Sequence, residues 1–191
     1  MNVISRFQNV SVIAYAICVL VACNTDTGPA KIGEVKIYPA IAGGDHTKTP
    51  AEKVVYSTVP PMGGRHAGVV QNCGVYDSEI PNETAVHSLE HGAVWITYKP
   101  DIPESDKLKL RQLVLAVPAH RLISPLSSQD ANVILTAWTV QLKLNDLDDA
   151  KLENFMNRYG FDPANSGSTG KESKAPEFGF ACEGGTGQPR S

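Results

Sequence analysis

The chain has 191 residues, 42% of them apolar and 19% charged, which is material for one hydrophobic core and one domain. Seventeen Lys plus Arg against twenty Asp plus Glu leave a net charge of −3, and with no basic run to neutralise a phosphate backbone the composition argues against nucleic acid as a partner. Sixteen Gly and thirteen Pro predict much irregular loop without reaching the content of a fibrous or disordered chain.

The chain opens on an export signal. Arg6 is followed by an almost wholly apolar run over residues 10–22 that ends in Leu20-Val21-Ala22-Cys23. A run of about 13 residues is too short to cross a hydrocarbon core of roughly 30 Å as a helix, and it fits the apolar region of a signal peptide. Its ending resembles the bacterial lipobox. That resemblance implies cleavage before Cys23 and diacylation of its thiol, leaving the mature protein tethered to the membrane of the cell envelope on its extracytoplasmic side. A plain signal peptide and an uncleaved anchor are the alternatives. Residues 1–22 are therefore assigned to the signal, and the small, polar stretch 23–34 to a flexible tether.

This cut settles the cysteine arithmetic. Cys18 leaves with the signal and Cys23 takes lipid, so Cys73 and Cys182 remain in an oxidising compartment. A disulfide between them would close a long loop worth about 4–5 kcal/mol by chain entropy. A thiolate metal ligand or a redox pair is the other reading, and the absence of any C-x-x-C spacing speaks against the redox version.

Further along, short β-like runs lie at 35–38 and 54–56, and the Pro/Gly-dense segment 57–72 reads as a loop held in a particular shape that leads to His66. Asn82 is placed to cap a short helix over 83–91, with Glu83 in its first turn and Gly92 beyond its end. Residues 93–98 read as a strand stopped by Pro100. A helix follows in which Leu110, Leu113, Val114 and Val117 recur at i, i+3, i+4 and i+7 before Pro118. His120–Ser124 is a short strand, and 132–144 reads as the longest strand of the chain. A last helix over 147–159 puts Leu152, Phe155, Met156 and Tyr159 on one face, and 161–191 is loop. The pattern predicts a single α+β domain over 35–185: a mixed sheet covered by two helices, a β-α-β-β-α core with long N-terminal loops and a C-terminal tail at 186–191.

The chemistry concentrates in the histidines. Four of the five lie between residues 46 and 91, and His87 and His91 are four apart on a predicted helix, a spacing that lets two imidazoles reach one ion. The string His87-Ser88-Leu89-Glu90-His91 also matches the H-x-x-E-H order of inverted zinc proteases, although Gly92 and a strand follow at once where those enzymes continue a long helix. His66, beside Met62 on the braced loop, is the natural third ligand, and His46 a poorer fourth. Glu90 is either an acceptor orienting an imidazole or a general base. The competing reading is a metal-free histidine network that ties loops together.

Several strings in this sequence resemble a known family. They are Pro60-Pro61-Met62-Gly63-Gly64-Arg65-His66, Asn72-Cys73-Gly74-Val75-Tyr76, the run from Val86 to Tyr98 with its VHSLEHG core, Ala137-Trp138, and Ala175-Pro176-Glu177 through Cys182. Over roughly residues 45–185 the chain is similar to the bacterial family known as domain of unknown function 3105. The resemblance implies an envelope protein with an N-terminal signal or anchor, and it matches family positions at His66, His87, His91, Cys73 and Cys182. After Trp138 this chain has Thr139 where the family pattern leads one to expect Gly.

Three functions are in play. The first is a membrane-tethered module binding copper, or else zinc, through His66, His87, His91 and Met62, because imidazole with a nearby thioether suits copper. The second is a metal-dependent hydrolase with Glu90 as base. The third is a structural lipoprotein with a metal-free network. No nucleophile elbow, phosphate loop or nucleotide fingerprint is present, so the sequence leans away from an enzyme.

Overall fold

The computed structural model describes residues 31–117 and 119–189, so the export signal, Cys23 and most of the tether lie outside the described residues. Among those described, no helix is long and apolar enough to cross a membrane. Six strands form one mixed sheet: β1 Val35–Ile37, β2 Gly74–Val75, β3 Val94–Tyr98, β4 Arg121–Pro125, β5 Val133–Ala137 and β6 Val140–Leu144, in the order β1-β6-β5-β3-β4-β2. β4 pairs parallel with β3 and β2, and the remaining neighbours are antiparallel. The helices are α1 Asn82–Glu90, α2 Glu104–Ala116 and α3 Asp149–Tyr159. The structure is thus the α+β single domain that the sequence predicts.

The two faces of the sheet follow from strand alternation. Val94, Ile96 and Tyr98 of β3, with Leu135 of β5 and Leu142 of β6, join one buried apolar cluster closed by Leu110 and Val114 of α2 and by Leu152, Phe155, Met156 and Tyr159 of α3. These are the two covering helices. Trp95 and Leu122 look the other way, into a second cluster with Ala85, Val86 and Leu89 of α1, Trp138 and the Cys73–Cys182 pair. Those cysteines form a disulfide across a sequence separation of 109, with Cα atoms 5.5 Å apart. It fixes the C-terminal segment to the body.

Four local expectations need correction. The segment 132–144 is a hairpin, β5 and β6, in which Ala137 pairs with Val140 and Trp138-Thr139 form the turn. Thr139 takes a φ of 60°, a conformation glycine holds without strain and a β-branched residue does not. No Gly or Asn marks the turn in this chain, so the sequence reads through it.

Residues 54–56 make no ladder. Val54 instead donates its N–H to Glu83 Oε1 at 3.1 Å. At the start of α1, Pro81 is the N-cap, with no side-chain cap bond, and Asn82 already lies within the helix; the extended ψ of 129° at Pro81 lets its carbonyl accept the Ala85 N–H. Lastly, the ends expected to be loose are held. Gly33 donates to the Lys143 carbonyl at 2.7 Å, and Thr186 exchanges backbone bonds with Val70 and Asn72.

Candidate metal centre

α1 lies under loops, with every residue from Glu83 to Glu90 buried. Its hydroxyl side chains therefore find partners on a loop: Ser88 donates to the Gln71 carbonyl and Thr84 to the Gln71 side-chain oxygen Oε1, each at 2.7 Å. The loop 57–72 does the shaping that its Pro and Gly content implies. It pairs His66 with His46 in a parallel bridge, with Thr47 N–H donating to the His66 carbonyl and His66 N–H to that of Asp45.

Three imidazoles meet at this point. The ring centroids of His46, His66 and His87 lie 4.9 Å from one another in all three pairs. Together with the Glu90 carboxylate they offer four ligand atoms, all within 4.8 Å of each other.

The tautomers are set by the backbone. His66 Nδ1 lies 2.7 Å from the Gly64 carbonyl and His87 Nδ1 2.8 Å from that of Ala67. A carbonyl only accepts, so each Nδ1 is the donor in its contact, and Nε2 is the ring nitrogen left for a further partner. Burial, reinforced by the neighbouring imidazoles of His66 and His91, pushes the His87 pKa down to about 4 although its bond to Ala67 opposes this. At neutral pH its ring is uncharged, the form in which imidazole binds metal.

Glu90 is fully buried, and its Oε1 accepts the Gly44 N–H at 2.6 Å. A Cβ at Gly43 would collide with the same Oε1 and with Pro176, so only glycine lets this strand of loop lie against the carboxylate. The other oxygen is the notable one. Glu90 Oε2 and His66 Nε2 lie 2.9 Å apart, both wholly buried, yet their angles do not make a hydrogen bond and neither atom has another such partner. Two orphaned polar atoms facing each other in a buried site cost on the order of 1–3 kcal/mol each unless something satisfies both.

His91 turns away from this group. As the C-cap of α1, it directs Nδ1 to the Ala181 carbonyl at 2.7 Å and Nε2 to Glu177 Oε2 at 3.1 Å. It shares with His87 and Glu177 a second set of three ligand atoms. Met62 is buried on the braced loop, and its carbonyl accepts the Thr139 N–H at the hairpin tip. His120 belongs to neither group: Nε2 bonds the Phe180 carbonyl and the ring packs edge-on against Phe161.

Of the residues singled out from the sequence, His66, His87 and Glu90 come together here, and His46, which ranks below His91 in that reading, joins them. Glu177, which the sequence reading does not single out, faces His91. Nothing near Asp45-His46 in the chain announces a bridge to His66, and Glu177 lies against α1 through long-range contacts, its N–H donating to the Glu90 carbonyl near the Cys73–Cys182 disulfide. No curated protein and no solved structure matches the chain. One family model does, over residues 46–177, more than half of the sequence and the whole of both histidine groups, and by that match the chain belongs to the family described as Protein of unknown function (DUF3105).

Proposed function

We propose that this protein is a lipid-tethered metal-binding module of the cell envelope whose centre, His46, His66, His87 and Glu90, holds one divalent first-row ion. The observation that carries the reading is the pair of orphaned atoms, His66 Nε2 and Glu90 Oε2, buried 2.9 Å apart beside two further imidazoles. A cation between them satisfies both atoms at once. Three imidazoles and one carboxylate suit zinc or copper(II), and make a complete four-coordinate set. With Oε2 directed at the ion, Glu90 serves as a ligand, whereas a hydrolase would need that carboxylate free to act as base.

The envelope reading rests on the apolar run that ends at Cys23 and on the Cys73–Cys182 disulfide, which suits an oxidising compartment. Lipid on Cys23 then makes the membrane the partner. Detergent-phase partitioning checks this part: Cys23→Ser should yield a soluble or uncleaved protein, and unchanged partitioning with cleavage at the same site would contradict it.

Metal analysis by mass spectrometry of protein purified without a His tag tests the centre. The reading predicts about one zinc or copper ion per chain, held far more weakly in His66→Ala and in Glu90→Gln. Protein that takes up neither ion after dialysis against each in turn would overturn it.

A further inference from the structure

We infer that His87, His91 and Glu177 form a second, outer ion position that shares His87 with the inner centre, and that the bound ion exchanges with its surroundings through it. The inference rests on the metal reading of the inner centre. Three observations lead to it.

The first is convergence. The rings of His87 and His91 lie 4.7 Å apart, edge to face, and one ligand atom from each meets a Glu177 oxygen with all three inside 4.8 Å. The second is orientation. His91 Nδ1 is held by the Ala181 carbonyl, so Nε2 is the nitrogen turned toward Glu177, as His87 Nδ1 is held by Ala67 and His66 Nδ1 by Gly64. Backbone bonds from Glu177 N–H to the Glu90 carbonyl and from Gly179 N–H to that of His91 fix this segment on the end of α1. The third is access. The His91 and Glu177 side chains are 11% and 35% exposed, while those of His66 and Glu90 are wholly buried.

The consequence follows from counting lone pairs. His87 has one free ring nitrogen, so it can serve the inner ion or the outer one and never both. The two positions exclude each other, and the chain holds a single ion. The inner set has four protein donors and the outer set three, which leaves the outer ion an open position where water or an acceptor's ligand can enter. The inner set therefore retains the ion and the outer set passes it on. His46 gives the inner centre a solvent face of its own, so the contribution of the outer set is read as a rate.

Zinc is the probe, followed by competition with a chromophoric chelator and by stopped-flow transfer to it. Wild type should bind one zinc. His66→Ala combined with Glu90→Gln should still bind one zinc, more than about 100-fold more weakly, and adding His91→Ala should abolish the remaining binding. Glu177→Gln should slow exchange in both directions by about tenfold.

Loss of all zinc from the double variant while its near-UV circular dichroism stays native-like would overturn the inference and spare the inner centre. So would exchange at the wild-type rate in Glu177→Gln, which decides the matter if the double variant does not fold, and so would two ions bound to wild type. A wild type that binds no zinc and no copper would instead remove the metal reading itself.

Discussion

The two faces of one sheet are built on opposite principles. Under α2 and α3, β3, β5 and β6 bury Val94, Ile96, Leu135 and Leu142 against Leu110, Leu152 and Phe155, and the face is stabilised by apolar area and close packing. Under α1 the sheet meets a layer in which Glu83, His87, Ser88 and Glu90 are buried alongside Leu89. Each polar group there depends on an individual partner from a loop: Gln71 for Thr84 and Ser88, Ala67 for His87, Gly44 for Glu90. The first face makes the domain stable, and the second spends part of that stability to hold a set of donors in place. Of the buried side-chain atoms left without a hydrogen bond among the described residues, which also include His120 Nδ1, Gln129 Oε1 and Thr139 Oγ1, His66 Nε2 and Glu90 Oε2 are the pair that face each other, where an ion would sit.

This contrast is sharpest when one residue is cut from each face. Leu135→Ala should cost about 2–5 kcal/mol in denaturant unfolding and leave metal affinity unchanged. His66→Ala should lower metal affinity beyond the roughly 10–100-fold that losing an outer hydrogen-bond partner costs, with a smaller effect on the metal-free protein, since it removes one of two orphaned atoms. Equal loss of affinity in both variants would break the distinction between the faces.

Cys182→Ser acts on the second face alone. Releasing the disulfide should cost about 2–5 kcal/mol of stability, and because Ala181 orients His91 while Glu177 faces it, proteolysis should nick the freed 175–189 segment first. Gly43→Ala is subtler. Its methyl group would press on Glu90 Oε1, so affinity should fall by about 10-fold while unfolding stability moves little, read by chelator competition and by chemical denaturation.

The smallest effect concerns acid. Burial pushes the His120 pKa below its ordinary value, against its bond to the Phe180 carbonyl, so between that lowered value and about 6.5 the unfolded chain binds the proton and the folded chain does not. Stability from this group is complete above about 6.5 and falls as pH drops below it. His120→Asn, which tolerates the φ of 61° found there, should flatten the metal-free stability curve between pH 7 and 5. An unchanged slope would show that His120 does not contribute to acid lability.

Much of the first face is legible in the sequence because its signals are local. The i, i+3, i+4 stripe of α2 and the aromatic face of α3 name the residues that pack, and Gly160 closes α3 as the composition suggests. Where local signals fail, the structure departs: Trp138-Thr139 turns without a turn residue, and β2 is two residues long and exists because Gly74 and Val75 lie beside Leu122 and Ile123. The site divides the same way. The His87 to His91 spacing is a local fact, whereas His46 and Glu177 join through a loop bridge and a disulfide-held tail that no periodicity encodes.

X-ray absorption at the metal edge of protein loaded with one equivalent of zinc, and separately with copper(II), addresses the central claim most directly. The account predicts nitrogen and oxygen neighbours at about 2.0–2.2 Å with the multiple-scattering pattern of imidazole, and a weaker imidazole contribution in His66→Ala. A shell of sulfur near about 2.3 Å, or a spectrum of hydrated ion with no imidazole signature, would contradict a centre made of His46, His66, His87 and Glu90.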